Sequence, residues 1–183
     1  MGSRKLLAVI DGKPLVRWAV EGVVPLVDEV IVVTGPDDRA IHDALQGLTV
    51  RFATNPRPED GQGTSIATGA SALSSVTEAA LVVLGDQPWL SASVIRALLA
   101  EFRATRRAIV APVYRGTQGN PVLFAASTLG ELRALDGDAG AKRIVERDPG
   151  RVARVPIDAE MPADVDTPDD LARVTAARTP RVQ

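Results

Sequence analysis

Asp86 is the residue in this sequence whose type and position best suit a metal ligand. It follows a strongly apolar run at 79–84, and Gly85 and Pro88 fix a turn around it. Ligands of open α/β sheets bind beyond the carboxyl ends of the strands, where a carboxylate can hold a hard cation such as Mg²⁺. The alternative is an aspartate that caps the following helix, but Ser91 is better placed as a cap. We therefore predict that Asp86 binds a metal ion.

A second acidic segment lies near the end of the sequence. Residues 167–170 (TPDD) are typical of a helix start, with a capping-box-like pair and a proline at the first helical position. Asp164 and Asp166 have no such explanation, and their alternation on an extended segment places both carboxylates on one side. Clustered carboxylates repel one another unless a cation joins them. The spacing predicts a divalent metal shared by Asp86, Asp164 and Asp166, and a solvated acidic turn is an equally good interpretation.

Three glycine-rich segments could line the same site. The polar loop 54–64 ends at Ser65, where backbone amides at a helix start could meet phosphate or ribose; a mobile surface loop is the alternative. The segments 116–121 (GTQGNP) and 137–142 (GDAGAK) could be ordinary turns. Their combined glycine content also suits the binding of a second, non-nucleotide substrate.

Strand-like and helix-like patterns alternate along the chain. Residues 5–10 could supply a first strand, and 114–124 a hairpin-like excursion. Such alternation is typical of a largely parallel sheet with helices on both faces. The other predicted strands lie at 29–34, 48–53, 79–84, 108–113 and 151–157, and the helices at 14–24, 37–46, 65–73, 91–105, 129–135, 140–148 and 168–177.

Composition excludes several classes of function. The 183 residues carry a net charge of −2, so no basic surface indicates nucleic acid. Cysteine is absent and His42 is the single histidine, which argues against disulfides, thiolate zinc sites and a serine–histidine triad. No apolar run is long enough to span a membrane. We expect a cytoplasmic protein with one domain at 1–177 and a frayed tail at 178–183.

Five motifs in order resemble those of the molybdenum cofactor cytidylyltransferases, a branch of the nucleotidyltransferases. They are NP…G…S at 55–65, LGDQP at 84–88, GxxGNP at 116–121, GDAGAK at 137–142 and DVDTPDD at 164–170. The resemblance covers nearly the whole chain. It implies a Rossmann-like, three-layer α/β/α sandwich of the nucleotide-diphospho-sugar transferase type, with a mostly parallel sheet.

The same resemblance implies an activity. CMP would pass from CTP to a molybdopterin acceptor with release of pyrophosphate, and Mg²⁺ would assist. Asp86 and Asp166 would hold the metal, and Lys5 would neutralise the triphosphate. The nucleotide and acceptor sites would include Asn55, Gly61, Thr64, Ser65, Gly85, Gly119, Asn120, Gly137 and Asp138.

The sequence departs from the family pattern in three places. The family opens with LAAGxSxRMGxxK, of which only MGxxK is present at 1–5. This indicates either a true start upstream of Met1, which we favour, or a degenerate paralogue. Asn120 stands where histidine is usual and cannot titrate near neutral pH, while Lys142 stands where arginine is common.

Two other functions stay open. Some actinobacterial relatives with this loop pattern are assigned to NAD(P)H-dependent reduction of a nicotine-derived blue pigment, although the chain lacks an intact GxGxxG turn. A non-catalytic carrier that hands the cofactor to a molybdenum hydroxylase is the other alternative. Retention of Asp86 and Asp166 argues against the carrier.

Overall fold

The computed structural model describes residues 5–165, 167, 169, 170, 172 and 173. We number its elements in chain order. The strands are β1 (Val9–Ile10), β2 (Lys13–Pro14), β3 (Ile31–Thr34), β4 (Arg51–Thr54), β5 (Ala79–Val82), β6 (Ile109–Tyr114), β7 (Thr117–Gln118), β8 (Val122–Ala125) and β9 (Val152–Ile157). The helices are α1 (Leu15–Val23), α2 (Arg39–Ala44), α3 (Gln62–Ala72), α4 (Ala92–Thr105), α5 (Leu129–Arg133) and α6 (Lys142–Arg147).

The larger sheet contains five strands in the order β5-β8-β6-β7, with β9 on the other side of β6. β6 and β9 run parallel, whereas β8 is antiparallel to both β5 and β6. The turn after β6 is the predicted hairpin, and it reverses the chain so that β8 inserts between two parallel strands. The predicted α/β class with a mostly parallel sheet is therefore confirmed. The hairpin adds β7 and β8 as antiparallel members that the alternating pattern did not specify.

A separate pair of parallel strands, β3 and β4, forms a second sheet. The predicted first strand at 5–10 is wrong in extent, since only Val9–Ile10 is extended and it pairs antiparallel with β2. Asp11 and Gly12 between them both have positive φ angles, of 51° and 76°. Two such residues form the tight turn that closes a hairpin. The hairpin therefore ends the strand before it can join either larger sheet.

Helices cover both faces of the five-stranded sheet. Along β6, Ile109 and Ala111 point to one face, where their neighbours come from α3, α5 and α6. Val110 and Tyr114 point to the other face, where they pack against α4. This alternation follows from the two-residue period of a strand. The resulting helix, sheet and helix layers confirm the predicted three-layer arrangement.

Helix α3 joins the two sheets. Gly69 lies so close to β3 that a Cβ atom there would be 3.0 Å from Val33 Cγ2. The next residue, Ala70, packs in the same core as Ile109 of β6. The remaining face of β3 is covered by α1 and α2. Helix α3 therefore packs against both sheets and links them.

Local signals placed several helix boundaries correctly. Ser91 is the N-cap of α4, and its hydroxyl accepts a hydrogen bond from Ser93 N at 3.3 Å.

The predicted closing helix at 168–177 lies largely outside the described residues, as does the tail at 178–183. In the part of the chain that is described, no helix is both long and apolar enough to cross a membrane.

Candidate active site

An ion pair between Lys5 and Asp86 lies just beyond the end of β5. Lys5 Nζ is 2.8 Å from Asp86 Oδ2, and the two side chains are 13% and 25% exposed. The second oxygen of Asp86, Oδ1, is buried and accepts no hydrogen bond within the described residues. A buried carboxylate oxygen without a donor is costly, and a cation is the group that would satisfy it. The geometry at Asp86 therefore fits a metal ligand.

The acidic segment near the end of the chain lies beside Asp86. Val165 N donates a hydrogen bond to Asp86 O at 3.2 Å, and Gln87 Nε2 donates to Asp164 Oδ1 at 2.7 Å. Val165 is buried against Ile10 of β1, and this packing holds the acidic segment in place. The fold thus brings together two of the segments that the sequence predicts to share a metal.

Asp166, the third predicted metal ligand, lies outside the described residues. Among the residues that are described, no group of three or more acidic or histidine side chains is arranged to hold a metal ion. The shared metal site of Asp86, Asp164 and Asp166 therefore stays a prediction.

Asn55 organises the loop that precedes α3. Its side chain is 2% exposed, and Nδ2 donates to Thr64 Oγ1 at 2.8 Å and to Ser65 Oγ at 3.0 Å. Its Oδ1 accepts a hydrogen bond from Arg57 N at 3.0 Å. The Thr64 hydroxyl is turned inward to the carbonyl of Gly61, 2.8 Å away. Asn55 and Thr64 therefore hold the shape of the loop through hydrogen bonds inside it.

A cavity of about 270 Å³ opens beside this loop. It lies between α3 on one side and the end of α5 on the other, and Arg57, Arg133 and Asp136 give it charged walls. The stem of Arg133 is fixed because Nε donates to Ala70 O at 3.1 Å. Sequence reasoning missed Arg133, since an arginine in the last turn of a short helix carries no signal of a site. The remaining lining residues are Asn55, Pro56, Thr64, Ala67, Thr68, Ala134 and Leu135.

Two of the predicted glycine-rich segments touch one another. Gly63 N donates a hydrogen bond to Gly137 O at 2.8 Å. A Cβ atom built on Gly61 would be 2.5 Å from Asp138 Oδ1. Gly61 and Gly63, in the segment predicted to bind the nucleotide, therefore lie beside Gly137 and Asp138, two of the residues predicted for the acceptor.

The third glycine-rich segment packs on the β6–β7 hairpin. The hydroxyl of Tyr114 donates to Asn120 O at 2.8 Å, and the Tyr114 ring leaves no room for a side chain at Gly119. Met161 Sδ closes the other side of Gly119. Burial raises the pKa of Tyr114 to about 12. Close packing against Tyr114 and Met161 therefore accounts for the glycine at position 119, and the Tyr114 hydroxyl satisfies the backbone carbonyl of Asn120.

Three curated relatives align with much of this chain. The purine catabolism protein PucB of Bacillus subtilis is 24% identical over 97% of this chain and 90% of its own length. A phosphoenolpyruvate guanylyltransferase of Mycolicibacterium paratuberculosis is 32% identical over 81% of this chain and 66% of its own length. A bifunctional protein GlmU of Geotalea uraniireducens is 28% identical over 78% of this chain, which spans only 30% of that protein.

Solved structures share the fold. A homologue of Mycobacterium tuberculosis Rv0371c from Mycobacterium sp. strain JC1 has a TM-score of 0.80 and 27% identity, covering 94% of this chain and 87% of its own. Rv0371c in complex with manganese has a TM-score of 0.81 and 23% identity, covering 96% and 93%. A CMP:2-keto-3-deoxy-manno-octonic acid synthetase complexed with CTP has a TM-score of 0.75 and 15% identity, covering 94% and 90%.

The family is established by the first 152 residues. Residues 1–152 match the model of the MobA-like NTP transferase domain, and this range includes Lys5, Asp86 and the loops at 55–65 and 137–142. The structural neighbours, which cover 94% and 96% of this chain, confirm the nucleotide-diphospho-sugar transferase fold that the resemblance implies. The chain therefore belongs to the MobA-like NTP transferase domain family.

Proposed function

We propose that this chain transfers CMP from CTP to a molybdopterin-type acceptor and releases pyrophosphate. The observation that carries the proposal is the Asp86 carboxylate, which has one oxygen on Lys5 and one buried oxygen that no donor among the described residues satisfies. In a metal-bound triphosphate, the metal ion would meet the Asp86 carboxylate and a phosphate group would meet the Lys5 ammonium. Membership of an NTP transferase family supplies the reaction class.

A divalent cation, with Mg²⁺ as the first choice, would bind Asp86 together with Asp164 and Asp166. Carboxylate oxygens are the ligands that Mg²⁺ prefers, and the hydrogen bond from Val165 N to Asp86 O brings the second acidic segment to the first. The manganese complex of Rv0371c supports a divalent ion in this fold. When bound, the ion would neutralise phosphate oxygens and spread the charge that develops during transfer.

Lys5 has a different task before and after the nucleotide binds. In the ligand-free chain its ammonium group neutralises Asp86 at 2.8 Å. Arrival of a metal–triphosphate complex provides a cation for Asp86 and an anion for Lys5, so both charges exchange one partner for another. This exchange keeps each partly buried charge compensated, which avoids the large cost of an unpaired charge.

The nucleotide would lie along the loop 55–65 and the start of α3. Ser65 and the backbone of residues 61–64 would line its pocket, and Asn55 and Thr64 would hold the loop in the required shape. The CTP-bound synthetase supports CTP as the donor. The related phosphoenolpyruvate guanylyltransferase makes GTP the competing choice that an assay must include.

The acceptor would approach from the segment containing Gly137 and Asp138, and Gly119 and Asn120 would contribute to its site as the family resemblance implies. An oxygen of its terminal phosphate would form a bond to the α-phosphorus of CTP. The bond from that phosphorus to the oxygen of the β-phosphate would break, and pyrophosphate would leave with the electron pair. Such a reaction needs mainly positioning and neutralisation of charge, which Lys5 and Asp86 would provide.

Pyrophosphate release tests this function. The chain is incubated with molybdopterin, Mg²⁺ and each of the four common ribonucleoside triphosphates in turn. We expect release with CTP, less with GTP, and none when the metal is chelated or the acceptor is omitted. Absence of release with all four nucleotides, or bleaching of the nicotine-derived pigment with NAD(P)H, would overturn the proposal. A preference for GTP would retain the nucleotidyl transfer but replace the donor.

A further inference from the structure

The contact between residues 61–63 and residues 136–140 is unusually close, and we call it the loop junction. Gly63 N donates to Gly137 O at 2.8 Å. Gly63 lies in the first turn of α3, and a Cβ atom there would be 2.8–2.9 Å from the carbonyl oxygens of Asp136, Gly137 and Ala139. Real Cβ atoms do not approach other atoms so closely. Position 63 therefore requires glycine, because the atoms that a side chain would meet belong to the backbone of residues 136–139, which cannot move aside as a side chain can.

Gly61 adds a second backbone contact to the loop junction. Its φ angle is 118°, a conformation that residues with a side chain rarely adopt. A Cβ atom there would be 2.5 Å from Gly137 O and from Asp138 Oδ1. The position of the Asp138 carboxylate is thus limited directly by the backbone at Gly61.

Charged side chains also link the two sides. Arg57 Nη1 is 2.9 Å from Asp60 Oδ2 on its own loop, and Arg57 Nη2 is 3.7 Å from Asp136 Oδ1 on the other. These pairs are exposed and contribute little to stability, but Arg57 and Asp136 both line the 270 Å³ cavity. One wall of the cavity comes from residues 55–57, 64, 67 and 68, which flank Gly61 and Gly63, and the other from residues 133–136, so a ligand in it would contact both segments.

We propose that the loop junction makes residues 61–65 and 136–140 a single unit, with Gly61 and Gly63 as positioning residues for Asp138. Binding at the first segment would then order the second, so that nucleotide binding prepares the site of the other substrate. The mechanical part of this inference follows from the contacts alone. The identity of the two ligands rests on the proposed function.

The test compares Gly63→Ala with the matched control Gly130→Ala. Both glycines lie in helices, but a Cβ atom at Gly130 meets nothing within 4 Å. Amide hydrogen exchange is followed along the whole chain. We expect exchange at 136–140 to be about tenfold faster or more in Gly63→Ala, because opening of this loop no longer breaks a packed contact. Exchange in β6 should stay unchanged in both variants.

Addition of CTP and Mg²⁺ provides the second readout. In the wild-type chain, CTP should slow exchange at both 61–65 and 136–140. In Gly63→Ala it should slow exchange at 61–65 alone. If CTP slows exchange nowhere in the wild-type chain, the proposed function fails, while the ligand-free comparison still tests the junction. Equal protection of 136–140 in Gly63→Ala and Gly130→Ala would overturn the inference.

Gly140 offers a rescue experiment. A Cβ atom there would be 2.6 Å from Gln62 Oε1, the far end of a flexible side chain. Faster exchange in Gly140→Ala should therefore be small and should disappear when Gln62→Ala is added. Gln62→Ala should not rescue Gly63→Ala, whose clash is with backbone. Rescue of both variants, or of neither, would contradict the geometry of the junction.

Discussion

Lys5 Nζ and Asp86 Oδ2 form an ion pair of 2.8 Å across 81 residues of sequence. The pair lies where β5 ends and where the acidic segment at Val165 reaches Asp86. Exposed ion pairs contribute little to stability, but these side chains are largely shielded from water. Loss of Lys5 would leave the Asp86 carboxylate poorly compensated, so the pair sets the charge at this strand end.

Replacement of Asp86 tests its role as a metal ligand. Asp86→Asn keeps the shape of the side chain but removes its charge. We expect the rate of pyrophosphate release to fall by an amount equivalent to about 2–4 kcal/mol, as when a major electrostatic group is lost. Asp158→Asn, which changes an exposed aspartate elsewhere, is the control and should keep full activity. Equal turnover by Asp86→Asn would exclude a catalytic metal at this carboxylate.

Replacement of Lys5 should change metal and nucleotide binding in opposite directions. In Lys5→Met, the cation that shares Asp86 with an incoming metal is gone, so Mg²⁺ alone should bind more tightly. CTP should bind more weakly, because the triphosphate loses a positive partner. Calorimetric titration with each ligand measures both effects, and Lys5→Arg should restore much of the CTP affinity. Parallel losses of both affinities would mean that Lys5 serves the fold alone.

The hydrogen bond between Gln87 and Asp164 should stabilise the acidic segment. Gln87 is 3% exposed and donates to Asp164 Oδ1 at 2.7 Å. Gln87→Leu fills a similar volume without the donor, and we expect the free energy of unfolding to fall by about 1–3 kcal/mol. The exposed Gln46→Leu is the matched control. Urea unfolding measures the difference, and an unchanged midpoint for Gln87→Leu would show that the hydrogen bond does not contribute to the free energy of unfolding.

The single tyrosine of the sequence makes burial at Tyr114 directly measurable. Burial raises its pKa from 10.0 to about 12, so phenolate absorbance should appear late in an alkaline titration. Between these two values the unfolded chain has lost a proton that the folded chain retains. Stability should therefore be complete below pH 10 and fall as pH rises towards 12, by about 3 kcal/mol in all.

Tyr114→Phe separates this effect from general alkaline unfolding. It removes the phenolate signal and should remove the corresponding fall in stability, at the cost of the hydrogen bond to Asn120 O. A phenolate that appears at the ordinary pKa in the folded wild-type chain would show that Tyr114 is accessible to water.

The positions of the secondary structure could be predicted because they depend on neighbours in sequence. Apolar periodicity located β3, β5, β6, β9 and the long helix α4, and Ser91 marked the start of α4 correctly. The glycines and asparagine at 116–121 indicated the hairpin. Asp86 could be predicted as a metal ligand because an apolar strand followed by Gly85 and by Pro88 is a local pattern.

Pairing and contacts between distant segments depended on the tertiary structure. Nothing local showed that β8 would insert antiparallel between β5 and β6. The turn that ends the first strand did have a local signal, because Asp11-Gly12 is a dipeptide typical of tight hairpins, but the apolar run at 5–10 favoured a longer strand. These outcomes reflect which edges and faces can be buried together. Arg133 was overlooked for the same reason, since its relation to the cavity arises only when α5 packs on α3.

The sequence by itself determined the residue types at the site, the order of the elements and the α/β class, because each follows from side-chain chemistry and short-range periodicity. The tertiary structure alone decided that Lys5 neutralises Asp86 and that Gly63 packs against Gly137. Both contacts join residues more than 70 positions apart. Such contacts are set by how the helix and sheet layers pack together, and the residues next to each partner in sequence do not specify that packing.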